Sequence, residues 1–183
     1  MSGMTVLEAS NRTELKMMMR YAATLNNPVA IRYAKADESS EIETEETYRS
    51  VWRTRLQGQD KTIITCGRIM GEVMKAASVL RDQGMCCEVI EASCIKPLDE
   101  HTLHRIARAN LPLVTVEEGI AEGGLGEAIG GWLTSQGYTC SLQRLAIEGL
   151  CTTQGARQEQ LKALKLDAAS IAERILIRKD EQK

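Results

Sequence analysis

Apolar residues recur along this chain with two different periods, and the order of the two periods predicts a fold class. Short apolar runs of the kind that form buried strands occupy residues 4–7, 29–33, 62–66, 86–92, 113–117 and part of 138–147. Between these runs apolar residues return every three or four positions, as at Met70, Val73 and Ala77, which indicates a helix with one buried face. Strands that alternate with helices predict crossover connections, and therefore an α/β fold with a mostly parallel sheet flanked by helices on both faces.

A change of composition separates the first part of the chain from the rest. Residues 4–33 indicate a strand, a helix that Ser10 or Asn11 would cap, and a second strand. Six acidic residues then fall between positions 37 and 46, where almost nothing is apolar, and they indicate a solvated linker. A further strand is predicted at 48–56. The pattern therefore divides the chain into residues 1–36, a linker at 37–49 and a main domain at 50–183.

The composition is that of an ordinary globular protein, and it excludes several classes. The 183 residues carry a net charge of −2, with 43% hydrophobic and 26% charged residues, which fits one domain with an appendage. No apolar run reaches the roughly 18 residues that a membrane span needs, and the near-neutral charge argues against a nucleic-acid partner. The N-terminus lacks a basic segment followed by an apolar stretch, so we expect a cytoplasmic protein.

Two oddities remain, which are the six cysteines and the absence of phenylalanine. No two cysteines are spaced as C-x-x-C, and neither His101 nor His104 is near one in sequence, so the spacing of a zinc site is missing. Most of the cysteines lie in or beside apolar stretches, which predicts reduced core residues rather than a disulfide framework. The two histidines are three positions apart on a predicted helix and are expected at its surface.

A glycine-rich loop follows the strand at 113–117 and opens a helix, which is where a phosphate-binding loop would lie. The loop, residues 119–126, lacks the Lys-Ser/Thr of a nucleoside-triphosphate loop and the full dinucleotide fingerprint. Glu117, Glu118 and Glu122 would also repel a phosphate, so we expect a tight structural or interface loop. Adjacent residues of a strand point to opposite faces, which favours structural roles for Glu117 and Glu118 over a catalytic carboxylate pair.

An ordered string of short motifs carries a family resemblance. Its members are Gly3-Met4-Thr5-Val6-Leu7, Pro28-Val29-Ala30-Ile31-Arg32-Tyr33, Cys66-Gly67-Arg68, Ile95-Lys96-Pro97-Leu98-Asp99, Val114-Thr115-Val116-Glu117-Glu118-Gly119, Gly123-Gly124-Leu125-Gly126 and Leu166-Asp167. In this order and spacing, the string resembles the C-terminal third of the 1-deoxy-D-xylulose-5-phosphate synthase family, which are thiamine-diphosphate enzymes of the transketolase superfamily. The resemblance covers nearly the whole chain, and the segments at 95–99 and 114–119 are fairly specific.

The resemblance implies that this chain is one part of a larger enzyme. Family members have three α/β domains, and residues 1–36 resemble the end of the middle, pyrimidine-binding domain, whereas residues 50–183 resemble the transketolase C-terminal domain. The family reaction condenses pyruvate with glyceraldehyde 3-phosphate and releases carbon dioxide, with a thiamine ylid as electron sink. The family's sites for thiamine diphosphate and Mg²⁺, and its aminopyrimidine-activating glutamate, lie in regions with no match here.

The same resemblance implies what this chain does and does not contribute. It implies no catalytic, cofactor-binding or metal-binding residue within the chain, no bound thiamine diphosphate or Mg²⁺, and no activity in isolation. The implied partners are the remaining N-terminal and middle domains, on the same or a separate polypeptide, and the complete enzyme would be a homodimer. The chain is then either a truncated or a split product, with a structural and assembly role.

One substrate-binding residue carries over by resemblance. The arginine of the family segment R-Y-P-R-G, which binds the substrate phosphate, matches Arg32, and a guanidinium suits that task because it forms bidentate hydrogen bonds with phosphate oxygens. The segment then departs from the family as Ala34-Lys35-Ala36, and the family's P-D-x-F is replaced by Glu148-Gly149-Leu150-Cys151. These departures leave the acceptor substrate open, and a diverged paralogue with another acceptor fits them. The alternatives to the synthase are a related transketolase, an oxo-acid dehydrogenase β-type subunit, or a free-standing non-catalytic interaction module.

The resemblance also connects the two oddities of composition. Cys66, Cys94 and Cys151 stand where the family commonly places phenylalanine, so part of the cysteine surplus and part of the phenylalanine deficit have one origin. Each exchange removes buried volume that neighbouring side chains must fill. We therefore predict that Cys66 and Cys94 are buried, reduced and free of metal.

Overall fold

The computed structural model describes residues 3–34, 48–149 and 154–180. The strands are β1 (Thr5–Glu8), β2 (Val29–Arg32), β3 (Arg53–Leu56), β4 (Lys61–Thr65), β5 (Cys87–Glu91), β6 (Cys94–Lys96), β7 (Leu113–Ile120) and β8 (Leu142–Ile147). The helices are α1 (Arg12–Ala22), α2 (Met70–Asp82), α3 (Glu100–Ala109), α4 (Leu125–Ser135), α5 (Arg157–Ala163) and α6 (Ala168–Asp180). Within the described ranges, each helix is too short or too polar to traverse a lipid bilayer. Most of the predicted acidic linker lies outside the described residues, as do Lys35, Ala36, Leu150 and Cys151.

The larger sheet has five strands in the order β3-β5-β4-β7-β8. β5, β4, β7 and β8 run parallel, and β3 lies antiparallel to β5 at one edge. The chain leaves the central strand β4 toward β5 on one side, and it later crosses back to β7 on the other side. The carboxyl ends of β4 and β7 therefore flank a topological switch point, which is where open α/β sheets commonly bind ligands.

Helices cover both faces of the larger sheet, as the sequence pattern predicted. On one face, α2 and α6 close over a core that includes Ile63, Val89 and Val116. On the other face, α3 and α4 pack against a second core that includes Ile64 and Ile90. Neighbouring residues of one strand thus enter opposite cores, which is why these strands carry apolar residues at consecutive positions. The predicted fold class is confirmed.

A smaller sheet attaches the beginning of the chain to the main domain. β1 pairs in parallel with β2 and antiparallel with β6, so that Leu7 lies opposite Cys94. Because β6 comes from the segment between β5 and α3, its pairing with β1 ties the first thirty-odd residues to the main domain. The sequence pattern predicted the strand, helix and strand of residues 4–33 but missed β6. A three-residue strand is too short for its period to be recognised.

The strand predicted at 48–56 is wrong in its first half. Only Arg53–Leu56 forms β3, whereas Trp52 is buried next to the strand. The Trp52 backbone amide donates to Asp99 at 2.9 Å, and its indole nitrogen donates to the Cys94 carbonyl at 2.8 Å. These two hydrogen bonds hold the segment against the region before α3, so tertiary contacts override its strand pattern.

The side chain of Glu72 connects α2 to the start of α6. It accepts hydrogen bonds from the Ala168 amide at 3.0 Å and from Lys75 at 2.9 Å. Burial opposes ionisation of this carboxyl, but the hydrogen bonds from Lys75, Ala168 and Gln158 outweigh burial and lower the pKa of Glu72. The ionised form therefore stabilises the fold above the pKa of an unfolded glutamate, and this stabilisation is lost as the pH falls through the lower pKa of the folded state.

We expect Glu72→Gln to lower the free energy of unfolding near neutral pH by about 1 kcal/mol, because the amide loses hydrogen bonds that the charge strengthens. The difference should shrink as the pH is lowered to about 3, because protonation of Glu72 in the unaltered chain removes the charge that strengthens those hydrogen bonds. Urea unfolding at both pH values measures the effect, with the exposed Glu173→Gln on α6 as the control. An equal loss at both pH values would contradict the role of the ionised carboxylate.

Candidate functional site

The carboxyl ends of strands from both sheets meet beside the switch point. In the smaller sheet β1 ends at Glu8 and β2 ends at Arg32, while in the larger sheet β4 leads into Gly67. A Cβ atom on Gly67 would lie 2.2 Å from Glu8 Oε1, and a Cβ atom on Gly119 would lie 3.5 Å from Arg32 Nη2. The two sheets therefore share one group of strand-end residues, Glu8, Arg32, Cys66, Gly67 and Gly119, which we name the strand-end junction.

Arg32 lies on the open side of the strand-end junction. Its side chain is 49% exposed, and its Nη1 is 3.3 Å from Glu8 Oε2. A guanidinium has five N–H donors, so a single neighbouring carboxylate leaves donors available for another anion. The resemblance implied a phosphate ligand for Arg32. The structure places Arg32 at the carboxyl end of β2, in a partly exposed ion pair, and its phosphate ligand stays a prediction.

Glu8 is the buried partner in this ion pair. Its side chain is only 14% exposed, and its Oε2 has no hydrogen-bond partner. Burial raises the pKa of Glu8, the charges of Glu117 and Glu118 raise it further, and Arg32 and a hydrogen bond from Cys66 oppose the rise. A desolvated carboxylate with an incomplete set of hydrogen bonds is predisposed to take up a proton.

Cys66 and Gly67 fix the position of Glu8. Cys66 is 2% exposed, and its thiol shares a hydrogen bond with Glu8. Burial and the charge of Glu8 raise the pKa of the Cys66 thiol well above its usual value, so this cysteine is a neutral donor and not a nucleophile. Gly67 has a φ of +69°, and Glu8 occupies the space that a side chain would need, so glycine is required there.

The glycine-rich loop after β7 holds a carboxylate of its own chain. Glu117 is 3% exposed, and its oxygens accept hydrogen bonds from the amides of Leu125 at 2.8 Å and Gly126 at 3.0 Å. A Cβ atom on Gly124 would lie 2.5 Å from Glu117 Oε2, so the loop closes around the carboxylate only with glycine. The N-terminus of α4, where a phosphate loop would hold its ligand, is thus filled by Glu117. The structural interpretation of this loop is confirmed.

Glu118 points away from Glu117 and pairs with a different element. Arg157, at the start of α5, donates from Nε and Nη2 to the two Glu118 oxygens at 3.0 and 2.6 Å. This is a bidentate pair of the kind that arginine favours. The adjacent glutamates therefore do not share a site, in agreement with strand alternation. Both carboxylates still raise the pKa of Glu8, so the strand-end junction is acidic in spite of Arg32.

The two histidines differ in their surroundings. His101 is exposed, as expected, but His104 is partly buried in an aromatic cluster. His104 Nδ1 lies 2.9 Å from the Tyr138 hydroxyl, and the imidazole contacts the edge of Trp132 at a centroid distance of 4.8 Å. The expectation of a surface position for His104 was wrong because its partners are on α4 and the loop after it, about thirty residues along the chain.

The five described cysteines are free thiols, and they are not all in the core. Cys66, Cys87 and Cys94 are buried, Cys140 is partly buried and Cys86 is exposed. The predicted burial of Cys66 and Cys94 is confirmed, whereas Cys86 departs from the general expectation. Among the residues that the structure describes, no three His, Cys, Asp or Glu side chains lie together as metal ligands. The metal-free state of the cysteines stays a prediction.

Sequence reasoning missed a buried group of charges, which we name the charge network and define as Glu14, Arg53, Arg55 and Glu91. Arg53 bonds to Glu14 and lies 3.5 Å from Glu91 Oε2, while Arg55 Nε donates to the same oxygen at 2.9 Å. The side chains of Glu14 and Glu91 are fully buried. The charge network joins α1 to β3 and β5. A signal for it was present, since β5 carries two glutamates, Glu88 and Glu91, in a strand predicted to be buried. A buried carboxylate needs a cation nearby.

Fold and site together define an α/β domain with helices on both faces, whose strand ends at the switch point meet a second, smaller sheet. The chain belongs to the family described as Transketolase, C-terminal domain, whose family model matches residues 50–171. This finding, together with the relatives described next, confirms the resemblance inferred from the motif string.

The relatives are larger proteins than this chain. The chain is 30% identical over 176 residues to 1-deoxy-D-xylulose-5-phosphate synthase of Clostridium acetobutylicum, an alignment that covers 94% of the chain and 28% of that enzyme. It is 32% identical to the putative transketolase C-terminal section of Methanocaldococcus jannaschii, covering 94% of the chain and 55% of that protein. The chain thus spans between about a quarter and about half the length of these curated relatives.

A solved structure shares the fold. The chain superimposes on a split gene transketolase, described as an inactive beta4 tetramer, with a TM-score of 0.86 and 23% sequence identity. The superposition covers 93% of this chain and 56% of that one. At this identity the likeness concerns the fold alone.

Proposed function

We propose that this chain is the C-terminal segment of a thiamine-diphosphate-dependent transferase that resembles 1-deoxy-D-xylulose-5-phosphate synthase. The observation that carries the proposal is the coverage, since 94% of the chain aligns with only 28% of the synthase from Clostridium acetobutylicum. The remaining active-site groups and the cofactor then belong to the N-terminal and middle domains, on the same or a separate polypeptide.

In the proposed reaction, pyruvate loses carbon dioxide, and its two-carbon remainder joins glyceraldehyde 3-phosphate to give 1-deoxy-D-xylulose 5-phosphate. Thiamine diphosphate, held with Mg²⁺ by the other domains, supplies the electron sink. This chain binds and orients the acceptor. Arg32, half exposed at the strand ends, takes the acceptor phosphate with paired N–H donors.

The proposal also specifies assembly and location. Residues 1–36 complete the middle domain, residues 37–49 link it to the C-terminal domain at 50–183, and the complete enzyme is a cytoplasmic homodimer. Neither nucleic acid nor a membrane takes part. Titration of the isolated chain with thiamine diphosphate and Mg²⁺ should release no heat, and tight binding would contradict this assignment of domains.

Reconstitution tests the proposal directly. We expect the chain to form a complex with the polypeptide that carries the N-terminal domains, and the complex to release carbon dioxide from pyruvate when glyceraldehyde 3-phosphate is added. Size-exclusion chromatography detects the complex, and a carbon dioxide assay detects the reaction. Absence of both complex and activity would contradict the proposal and favour the non-catalytic module.

In the reconstituted enzyme, we expect Arg32→Met to raise the KM for glyceraldehyde 3-phosphate by at least about tenfold, because the variant loses a charge-assisted bidentate contact. The KM for pyruvate should not change. Arg20→Met, at an exposed position on α1, is the matched control. An equal rise in the KM for unphosphorylated D-glyceraldehyde would show that Arg32 does not bind the phosphate.

A transketolase activity is the second candidate. It is favoured by the 32% identity to the putative transketolase C-terminal section of Methanocaldococcus jannaschii, and by Ala34 standing where the synthase family has proline. A screen of the reconstituted enzyme separates the candidates. Turnover with pyruvate as donor supports the synthase, and turnover only with ketose phosphates supports the transketolase.

A further inference from the structure

We propose that Glu8 is a positioning residue that couples anion binding at Arg32 to the uptake of a proton, so that the strand-end junction takes a tetrahedral dianion best when Glu8 is protonated. The inference rests on the proposed role of Arg32 and adds to it a second residue and a dependence on pH. The ligand chemistry is that of a phosphate ester or of free phosphate.

The geometry prevents Glu8 from moving out of the way of an incoming anion. Its Oε1 packs on the Cα of Gly67, where a Cβ atom would come within 2.2 Å, and the Cys66 thiol shares a hydrogen bond with it. Its Oε2 is buried beside Arg32 Nη1 at 3.3 Å. An anion that binds to Arg32 must therefore remain close to the Glu8 carboxyl.

Charge explains why a proton has to enter. A dianion beside ionised Glu8 would add to the repulsion already exerted by Glu117 and Glu118 on a carboxyl that is only 14% exposed. Burial already raises the pKa of Glu8, and a bound dianion would shift this pKa in the same direction. Once protonated, the carboxyl loses its repulsion and gains an O–H donor. Its Oε2, which has no hydrogen-bond partner, lies 3.3 Å from Arg32 Nη1.

In this junction, burial raises the pKa of Glu8 above its ordinary value, which favours uptake of a proton by this carboxyl. The titratable and charged side chains that act on it from the packed strands are Arg32, Cys66, Glu117 and Glu118. The pKa of Cys66 lies well above its usual value, so the thiol stays neutral. The amides of Leu125 and Gly126 hold the Glu117 carboxylate, and Arg157 holds the Glu118 carboxylate.

Sulfate is the appropriate probe, because it is a tetrahedral dianion that does not titrate near neutral pH. Calorimetric titration of the full chain between about pH 5.5 and pH 8, around the range that a raised glutamate pKa reaches, gives the affinity. Repetition in buffers of different ionisation enthalpy gives the number of protons taken up. We expect the unaltered chain to bind sulfate more tightly as the pH falls, with uptake of a fraction of a proton that approaches one.

For Glu8→Gln we expect no proton uptake, a nearly constant affinity across the same range, and binding at the upper pH on the order of tenfold tighter than that of the unaltered chain. Glu118→Gln is the control for charge in general. It removes a nearby carboxylate but leaves Glu8 in place, so its affinity should keep the pH dependence. Urea unfolding verifies that Glu8→Gln is folded, and Glu8→Ala serves as a second variant.

The outcomes separate this inference from the proposed function. If Arg32→Met abolishes sulfate binding while Glu8→Gln and Glu8→Ala keep the proton uptake of the unaltered chain, the coupling is wrong and the anion role of Arg32 stands. If Arg32→Met binds sulfate as tightly as the unaltered chain, the role of Arg32 is wrong as well. Competition by glyceraldehyde 3-phosphate and by inorganic phosphate then distinguishes an ester site from a free-phosphate site.

Discussion

Replacement of Arg53 by methionine is expected to lower the free energy of unfolding by about 3–5 kcal/mol, because it leaves a buried carboxylate without its cation. Glu91 keeps Arg55 at 2.5 Å, but Glu14 retains only the hydrogen bonds from Ser10 among those described. Methionine preserves most of the apolar stem of arginine, so the loss reports on charge more than on packing. The charge network attaches α1 to the main domain, so we expect this attachment to be weakened in the variant.

Urea unfolding measures this prediction, with the exposed Arg20→Met on α1 expected to change the free energy of unfolding by less than about 0.5 kcal/mol. The loss of unfolding free energy in Arg53→Met should also depend on pH. Burial and the charge of Glu91 already raise the pKa of Glu14, and removal of Arg53 raises it further. A folded state that binds a proton more readily than the unfolded chain gains stability as the pH falls.

The difference in unfolding free energy between Arg53→Met and the unaltered chain should therefore become smaller as the pH falls from about 7 to about 5. The double variant Glu14→Gln with Arg53→Met should be more stable than Arg53→Met alone. A deficit that is the same at both pH values, and is not relieved by the second change, would contradict the charge network as the source of the effect. The comparison needs no assumption about catalytic function.

The parallel sheet was predictable because its signals are local. β4, β5 and β7 are short, largely buried segments, and they alternate with α2, α3 and α4, whose apolar residues recur with a clear period. Asn11, one of the two predicted caps of α1, accepts a hydrogen bond from the Glu14 amide at 2.9 Å. The order of the strands and the place of β6 were not predictable in the same way. β6 forms because Cys94 and Lys96 pair with β1, almost ninety residues earlier in the chain. Pairing between such distant segments produces no recognisable period in the local sequence.

In the candidate site, too, the residue within a local motif was predictable, whereas the residue that depends on distant contacts was not. Arg32 was identified because a short motif is retained around it. Glu8 was not singled out, although its carboxylate is the ion-pair partner of Arg32 at 3.3 Å. A glutamate after a short apolar run looks like an ordinary strand end. Its importance arises from the bare Cα of Gly67 and the thiol of Cys66, which come from another sheet and create the pocket for its carboxylate.

Replacement of Glu117 by alanine is expected to lower the free energy of unfolding by about 2–4 kcal/mol, since it leaves two buried amides without acceptors and removes a charge that the helix N-terminus stabilises. The amides of Leu125 and Gly126 both donate to this carboxylate, which is almost completely buried. Glu117→Gln should cost less, because one amide oxygen still accepts a hydrogen bond. The exposed Glu122→Ala, in the same loop, is the control.

Gly124, which contacts the Glu117 carboxylate, provides an independent check. Gly124→Ala would place a Cβ atom 2.5 Å from Glu117 Oε2, so it should also destabilise the fold. When Glu117→Ala removes the obstructing carboxylate, the added methyl group has space. The double variant is therefore expected to lose less stability than the sum of the single losses, a coupling that urea unfolding detects. Additive losses would mean that Gly124 is needed for its backbone alone, and that the loop is not built around the carboxylate.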